Sequence, residues 1–192
     1  MVAQDLFRRV ATLKPEAKSS KGWFIKGTAL LNQGKYDEAI QAYDKAIEIN
    51  PSYAEAWNNK GNALDDQGKI DEAIQAYDKA IEINPQQTNP WYNKSLTLFK
   101  QSKYAEALKA ADKAIEINPS YAKAWVNKGN ALWNQGKYDE AIQAYDKVLE
   151  INPQDAKAWG NKGIALKAMG RDTESTAAFT KAKELDKINP SL

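Results

Sequence analysis

The chain of 192 residues has no cysteine and no histidine. The first absence excludes disulfides, thiolate nucleophiles, zinc knuckles and iron–sulfur ligation. The second removes the commonest general base and the commonest transition-metal ligand. An excess of charge of either sign is missing too. Twenty-seven basic residues face 25 acidic ones, and a net charge of +2 is too balanced for a protein held to nucleic acid mainly by phosphate contacts. Apolar runs are only a few residues long, so the sequence offers neither a membrane span nor a signal-peptide core, and a cytoplasmic location is expected. What is present is ordinary for a folded protein: 43% hydrophobic and 27% charged residues.

The ordering of those residues is not ordinary. Five of the six tryptophans, Trp23, Trp57, Trp91, Trp125 and Trp159, lie 34 residues apart. Pro51, Pro85, Pro119 and Pro153 keep the same beat. Residues 27–51 and 129–153 match at 21 of 25 positions. The chain is a tandem array.

Each unit has a helical period. Trp57, Gly61 and Leu64 fall on one stripe of a first helix, and Gly68 suits the left-handed residue that closes it. Asp71 is then placed to cap a second helix striped by Ala73, Tyr77, Ala80 and Ile81. Asn84-Pro85 ends that helix, because the residue before proline disfavours the α region. The unit is therefore a hairpin of two helices, each about 13 residues and about 20 Å long. Such a hairpin cannot bury its aromatic stripe alone, so neighbours stack into a solenoid whose hand the pattern leaves open. Gly27, Gly61, Gly129 and Gly163 sit inside first helices at a cost of roughly 1 kcal/mol each relative to alanine, which predicts close packing of the paired helix there. Ser95 takes that place in the third unit.

Trp57, Gly61, Leu64, Ala73, Tyr77, Ala80 and Pro85 together resemble the signature of the tetratricopeptide repeat family, Trp-x2-Leu-Gly-x2-Tyr, Ala-x3-Phe, Pro. The resemblance recurs five times. Lysine (Lys26, Lys60, Lys94, Lys128, Lys162) stands for the signature leucine, and leucine for its first tyrosine. A lysine stem can lie on apolar surface with its amine in water. The resemblance implies an all-α, right-handed superhelical solenoid of antiparallel helix pairs whose first helices line a concave groove. The expected repeats are 20–53, 54–87, 88–121, 122–155 and 156–187.

The two ends read differently. Ala3, Phe7, Val10 and Pro15 keep the spacing of Ala39, Tyr43, Ala46 and Pro51, so residues 1–19 are expected to hold a half-repeat capping helix at 2–13. The residues fit a native cap and a piece of a longer array equally. In the fifth unit Thr176 and Lys183 replace the aliphatic pair found at Ile74 and Ile81, and Asp172 replaces Ile70. Terminal repeats need a polar outer face, so 172–186 is expected to cap the array, with 188–192 as a tail.

Catalytic chemistry finds no foothold. Asp37-Glu38, Asp71-Glu72 and Asp139-Glu140 recur at helix starts, where carboxylates favour the helix dipole, and an active site repeated from unit to unit reads as structure. Gly34-Lys35 and its copies lack the remainder of a phosphate loop. Asn93-Lys94-Ser95 matches a glycosylation sequon inside a helix of a chain expected to be cytosolic. The ladders beginning at Lys45 and Glu48 read as solvated faces with weak ion pairs. No catalytic residue, metal or cofactor is expected.

The candidate site lies on the first-helix face. Two residues after each later tryptophan stand Asn59, Asn93, Asn127 and Asn161, a ladder able to grip peptide backbone, extended by Asn62 and Asn130. Positions that vary between near-identical units are the more telling ones. The stripe runs Phe24-Thr28-Leu31, Asn58-Asn62-Asp65, Tyr92-Leu96-Phe99, Val126-Asn130-Trp133 and Gly160-Ile164-Lys167. Phe24, Tyr92, Phe99 and Trp133 are apolar anchors, and the Phe99–Trp133 pair is the leading hot spot. Asp65 and Asp66 contrast with Lys100, Lys123, Lys157 and Lys167, so Lys123 and Lys157 are expected to receive an acidic group. The family's carboxylate clamp, in its best register, falls on Asn58, Asn62, Asn93, Lys123 and Asn127; three positions fit, and two of three cations are missing.

The reading that follows is a non-enzymatic module binding a short segment of a protein or peptide partner in the groove, with neither nucleic acid nor membrane as partner, monomeric or weakly self-associating. The alternative is a structural scaffold or spacer that self-associates through its ends or through the Trp133 patch. An RNA-reading helical repeat is disfavoured by the near-neutral charge and the fixed Trp and Pro beat.

Overall fold

The computed structural model describes residues 19–188, which form ten α-helices and no strand. In chain order these are α1 (Ser20–Leu31), α2 (Tyr36–Ile49), α3 (Ala54–Asp66), α4 (Ile70–Ile83) and α5 (Thr88–Lys100). Then come α6 (Tyr104–Ile117), α7 (Ala122–Asn134), α8 (Tyr138–Ile151), α9 (Ala156–Ala168) and α10 (Asp172–Ile188). The expected capping helix at 2–13 and the tail residues 189–192 lie outside the described residues. Helix α10 reaches Ile188, two residues past the end of the expected cap.

The chain separates into two compact units, 1–97 and 98–192, with the boundary inside α5. In the first unit α1 packs on α2, α2 on α3, and α3 on α4. In the second, α6 packs on α7, α7 on α8, α8 on α9, and α9 on α10. Each core is built from small residues on the second helices and large ones between them. Ala73, Ala76 and Tyr77 with Leu64 form one cluster, and Ala141, Ile142, Ala144 and Tyr145 with Leu132 and Leu166 form another.

The helix-interior glycines answer to sterics. A Cβ on Gly61 would sit 2.5 Å from the Tyr77 ring, and one on Gly129 would sit 2.5 Å from the Tyr145 ring. Gly27 meets Tyr43 and Gly163 meets Phe179 in the same way. The third unit departs from the rule at two places at once, with Ser95 for the glycine and Ala111 at the aromatic's register.

Helix ends follow the local sequence with one correction. Gly68 closes α3 at φ 76°, and the Lys69 N–H returns to the Leu64 carbonyl at 2.9 Å. In the α5–α6 turn that role falls to Ser102, at φ 59°. Asn84 ends α4 in an extended conformation, as the following proline requires. Asp71, however, does not cap α4. Lys69 occupies the N-cap without a side-chain cap bond, and Asp71 lies inside the first turn. The tight left-handed turn at Gly68 starts the helix too early for Asp71 to reach back, so its carboxylate acts on the helix dipole instead.

The Trp and Pro beats are one device. The indole N–H of Trp57 donates to the Pro51 carbonyl at 3.1 Å, and Trp91, Trp125 and Trp159 do the same to Pro85, Pro119 and Pro153. Proline stops a second helix, and the next tryptophan takes the carbonyl that the stop leaves without a helical partner.

Candidate binding surface

The signature-breaking lysines work away from the candidate face. Lys60 pairs with Asp44 at 2.6 Å, Lys94 with Asp78 at 2.5 Å, Lys128 with Asp112 at 2.8 Å and Lys162 with Asp146 at 2.6 Å. Lys60, Lys128 and Lys162 also lie over the ring of the tryptophan three residues earlier. Each of these bonds ties a first helix to the second helix of the unit before it. The position that continues the aspartate series is Thr180, so α10 does not carry the carboxylate for such a tie. Thr176 and Lys183 on α10 are exposed. The Lys79–Glu82, Lys113–Glu116 and Lys147–Glu150 ladder pairs are present and solvated. Lys45 leaves that pattern and lies 4.3 Å from the Trp23 ring centre.

The second helices reach through to the first-helix face by their tyrosine hydroxyls. Tyr43 donates to Thr28 at 3.3 Å, Tyr77 to the Asn62 Oδ1 at 3.0 Å and Tyr145 to the Asn130 Oδ1 at 2.9 Å. In the fifth unit the ring is Phe179, and the residue at the groove position is Ile164. The groove position is polar where a hydroxyl reaches it and aliphatic where none does. Burial pushes the Tyr145 phenol up to about 12, so it stays a donor at neutral pH. Tyr77 is held higher still, first by burial and then by the charge of Asp65.

In the first unit the amides bond one another. The Asn93 Nδ2 donates to the Asn62 Oδ1 at 2.9 Å and to the Asn58 Oδ1 at 3.0 Å, and the Asn58 Nδ2 donates to the Asn59 Oδ1 at 3.1 Å. Asn58 is only 8% exposed. Of the sequence-derived candidates, Asn59, Asn62 and Asn93 are thus brought together as a network. Phe24 packs on Tyr43 and on Tyr53, with ring centres 6.0 and 5.0 Å apart. Tyr92 is half-buried. Ile25, which interrupts the ladder, is exposed.

In the second unit the arrangement is open. Phe99, Asn130, Trp133, Asn134, Tyr145, Asn161 and Ile164 line a pocket of about 200 Å³. The anticipated Phe99–Trp133 pair therefore meets in one cavity. Trp133 is 37% exposed and Ile164 is 45% exposed, so large apolar surface faces solvent. Trp133 leans on Tyr138 and Phe99 on Tyr104, which fixes both rings from behind. The Asn134 Nδ2 donates to the Asn130 backbone carbonyl at 2.8 Å. Asn127 is nearly buried beside this face rather than lining the pocket. Lys123 and Lys157 are exposed in the first turns of α7 and α9. They precede Asn130 and Ile164 by two turns, on the same helix faces, and lie outside the pocket.

Ile164 and Asn134 join the wall without being candidates on sequence grounds. Ile164 carries a signal, since with Leu96 it is aliphatic in a column that holds Thr28, Asn62 and Asn130 wherever a tyrosine reaches it. Asn134 carries none. Among the described residues no group of acids is placed to hold a metal ion, and no helix is long and apolar enough to cross a membrane.

Antiparallel helix pairs on a 34-residue period, closed by a Trp–Pro bond, define a helix–turn–helix repeat protein. Profiles of the tetratricopeptide repeat match residues 2–54, 24–88 and 92–156, and a second such profile matches 132–186. The chain belongs to the tetratricopeptide repeat family, with the all-α solenoid class anticipated from its signature. No curated protein matches its sequence. Among solved structures, a crystal structure of MamA is 27% identical, covers 86% of this chain and 97% of its own, and superposes with a TM-score of 0.81. Residues 41 to the end of MamA from Desulfovibrio magneticus RS-1 are 22% identical, cover 91% and 99%, and give 0.83. YrrB, described as a tetratricopeptide protein with an unusual peptide-binding site, is 24% identical, covers 96% and 93%, and gives 0.74. In general terms the chain is a protein-interaction module.

Proposed function

We propose that the chain is a non-enzymatic module that binds a short segment of a partner protein on its first-helix face. The observation that carries this reading is the convergence of Phe99, Trp133 and Ile164 in one open pocket. Aromatic side chains left exposed in a pocket, and held from behind by other rings, are the form binding hot spots take. Asn130 and Asn161 supply amides at its wall, and Lys123 and Lys157, with Asn127 beside them, favour a segment carrying an acidic group. In the first unit Phe24, Tyr92 and the Asn59–Asn62–Asn93 network offer a second, more polar surface. Its Asn58 and Asn93 amides already donate to neighbouring asparagines, so it serves as a preset contact face rather than an anchor.

Peptides selected from a random display library on the full chain test the reading. Selected peptides should lose at least tenfold in affinity on Trp133→Ala, with helicity and melting retained. Unchanged affinity would remove the assignment. The scaffold alternative draws on the same exposed Trp133 and Ile164, together with Ile49 and Ile151, which are also exposed. Light scattering across concentration separates the two, since a monomer at high concentration leaves the self-association reading without support.

A further inference from the structure

We infer that Tyr145 is a positioning residue that turns the Asn130 amide into a donor aimed at the pocket, so that the pocket reads a backbone carbonyl beside one large apolar side chain. This deepens the proposed function and rests on it. The inventory of one carboxamide is the starting point. Asn130 has one acceptor oxygen and one NH2. The Tyr145 hydroxyl donates to that oxygen at 2.9 Å, and burial keeps the phenol protonated. An amide whose oxygen is held from the second helix turns its nitrogen outward, toward the cavity that Asn130 lines. In the first unit the same Tyr–Asn pair occurs, but there the Asn62 oxygen also accepts from Asn93, which folds that amide into a network. The amide that borders the open apolar pocket belongs to the second unit.

The rest of the wall says what accompanies the carbonyl. Phe99, Trp133 and Ile164 supply the apolar wall of an open pocket of about 200 Å³, against the ~150 Å³ of a closed apolar cavity that holds one benzene-sized guest. One aromatic or branched aliphatic side chain fills such a space, and a helix with several anchors does not. A carbonyl and a single apolar side chain, presented together, describe an extended peptide.

The fifth unit supplies its own control. Phe179 stands where Tyr145 stands, against Gly163 as Tyr145 stands against Gly129, and Ile164 stands where Asn130 stands. The repeat frame thus already accommodates the two changes needed for the test, Tyr145→Phe and Asn130→Ile.

The experiment takes the best peptide from a random display library selected on the wild-type chain and titrates it by fluorescence polarisation against Tyr145→Phe, Asn130→Ile and the double variant. Tyr145→Phe should weaken binding about fivefold, the equivalent of one neutral hydrogen bond, and the double variant should be no weaker than Asn130→Ile alone. Replacing the amide next to the apolar residue of the peptide by an ester, which weakens its carbonyl as acceptor, should cost the wild type more than it costs Asn130→Ile. If Tyr145→Phe stays within twofold of wild type, or the two single effects simply add, Tyr145 only packs and the inference is overturned. In both cases loss on Trp133→Ala would leave the proposed function standing. If no selected peptide responds to Trp133→Ala, both fall together.

Discussion

The two units share one frame and use it in opposite ways. In the first, Tyr77, Asn62, Asn93, Asn58 and Asn59 form a chain of hydrogen bonds in which each member serves another. In the second, the same register carries Tyr145 and Asn130, but the neighbours are Phe99, Trp133 and Ile164, and apolar surface is left open. The repeat frame is indifferent to this exchange, because the Gly–aromatic contact, the Trp–Pro bond and the Lys–Asp tie occur in both. The difference between network and pocket lies on the first-helix stripe, at positions that take no part in those three contacts. A closed polar network contributes rigidity, whereas open apolar surface costs solubility and is explained by a partner.

The comparison breaks most visibly at the network. Asn62→Leu removes the acceptor shared by the Tyr77 hydroxyl and one Asn93 N–H, and should destabilise the chain by about 2 kcal/mol in chemical denaturation. Asn130→Leu strands only Tyr145 and should cost about 1 kcal/mol. Equal losses would mean that the first unit's network is no more closed than the second's wall.

Alkaline pH probes the same two tyrosines with a smaller effect. A phenol whose folded pKa is raised contributes nothing adverse below pH 10, where both states are protonated. Between about 10 and about 12 the unfolded chain ionises while Tyr145 holds its proton, so stability falls as pH rises. For Tyr145 the loss is about 2 kcal/mol, discounted for its partial solvation. Tyr77 is displaced further, so Tyr77→Phe should flatten the alkaline decline more than Tyr145→Phe does, as read by melting from pH 9 to pH 12. The reverse order would contradict the placement of Tyr77 beside Asp65.

The smallest effect separates stability from binding. Ser102 closes α5 in the left-handed region that glycine holds at the corresponding turns. Ser102→Gly should raise stability by about 0.5–1 kcal/mol and leave the affinity for a selected peptide unchanged. A change in affinity would tie the pocket to the turn beneath Phe99 rather than to its lining.

Periodicity makes the frame legible from the amino-acid order alone. Trp57, Gly61, Tyr77 and Pro85 announce helix pairs because each has a steric or hydrogen-bonding task repeated every 34 residues. The meeting of Phe99 with Trp133 is legible for the complementary reason, since both depart from the beat on one stripe. The amide ladder shows in the sequence only as a series of asparagines. Whether Asn93 faces a ligand or Asn62 depends on rotamers and on Tyr77 arriving from another helix, and spacing along one helix does not report that. Residue preference puts Asp71 at the cap, whereas the φ of Gly68 puts Lys69 there. The Lys–Asp ties escape a reading based on single-helix spacing, because they join residues 16 apart on different helices, although the recurrence of Asp44, Asp78, Asp112 and Asp146 carries the signal.

The central claim is that the second unit's open pocket, and not the first unit's closed network, anchors the partner. Its most direct test is the affinity of one library-selected peptide for Trp133→Ala and for Asn93→Ala, measured side by side in the full chain. The account predicts a loss of at least tenfold for Trp133→Ala and a change of no more than about threefold for Asn93→Ala. Retained affinity in Trp133→Ala, or a larger loss in Asn93→Ala, would contradict it.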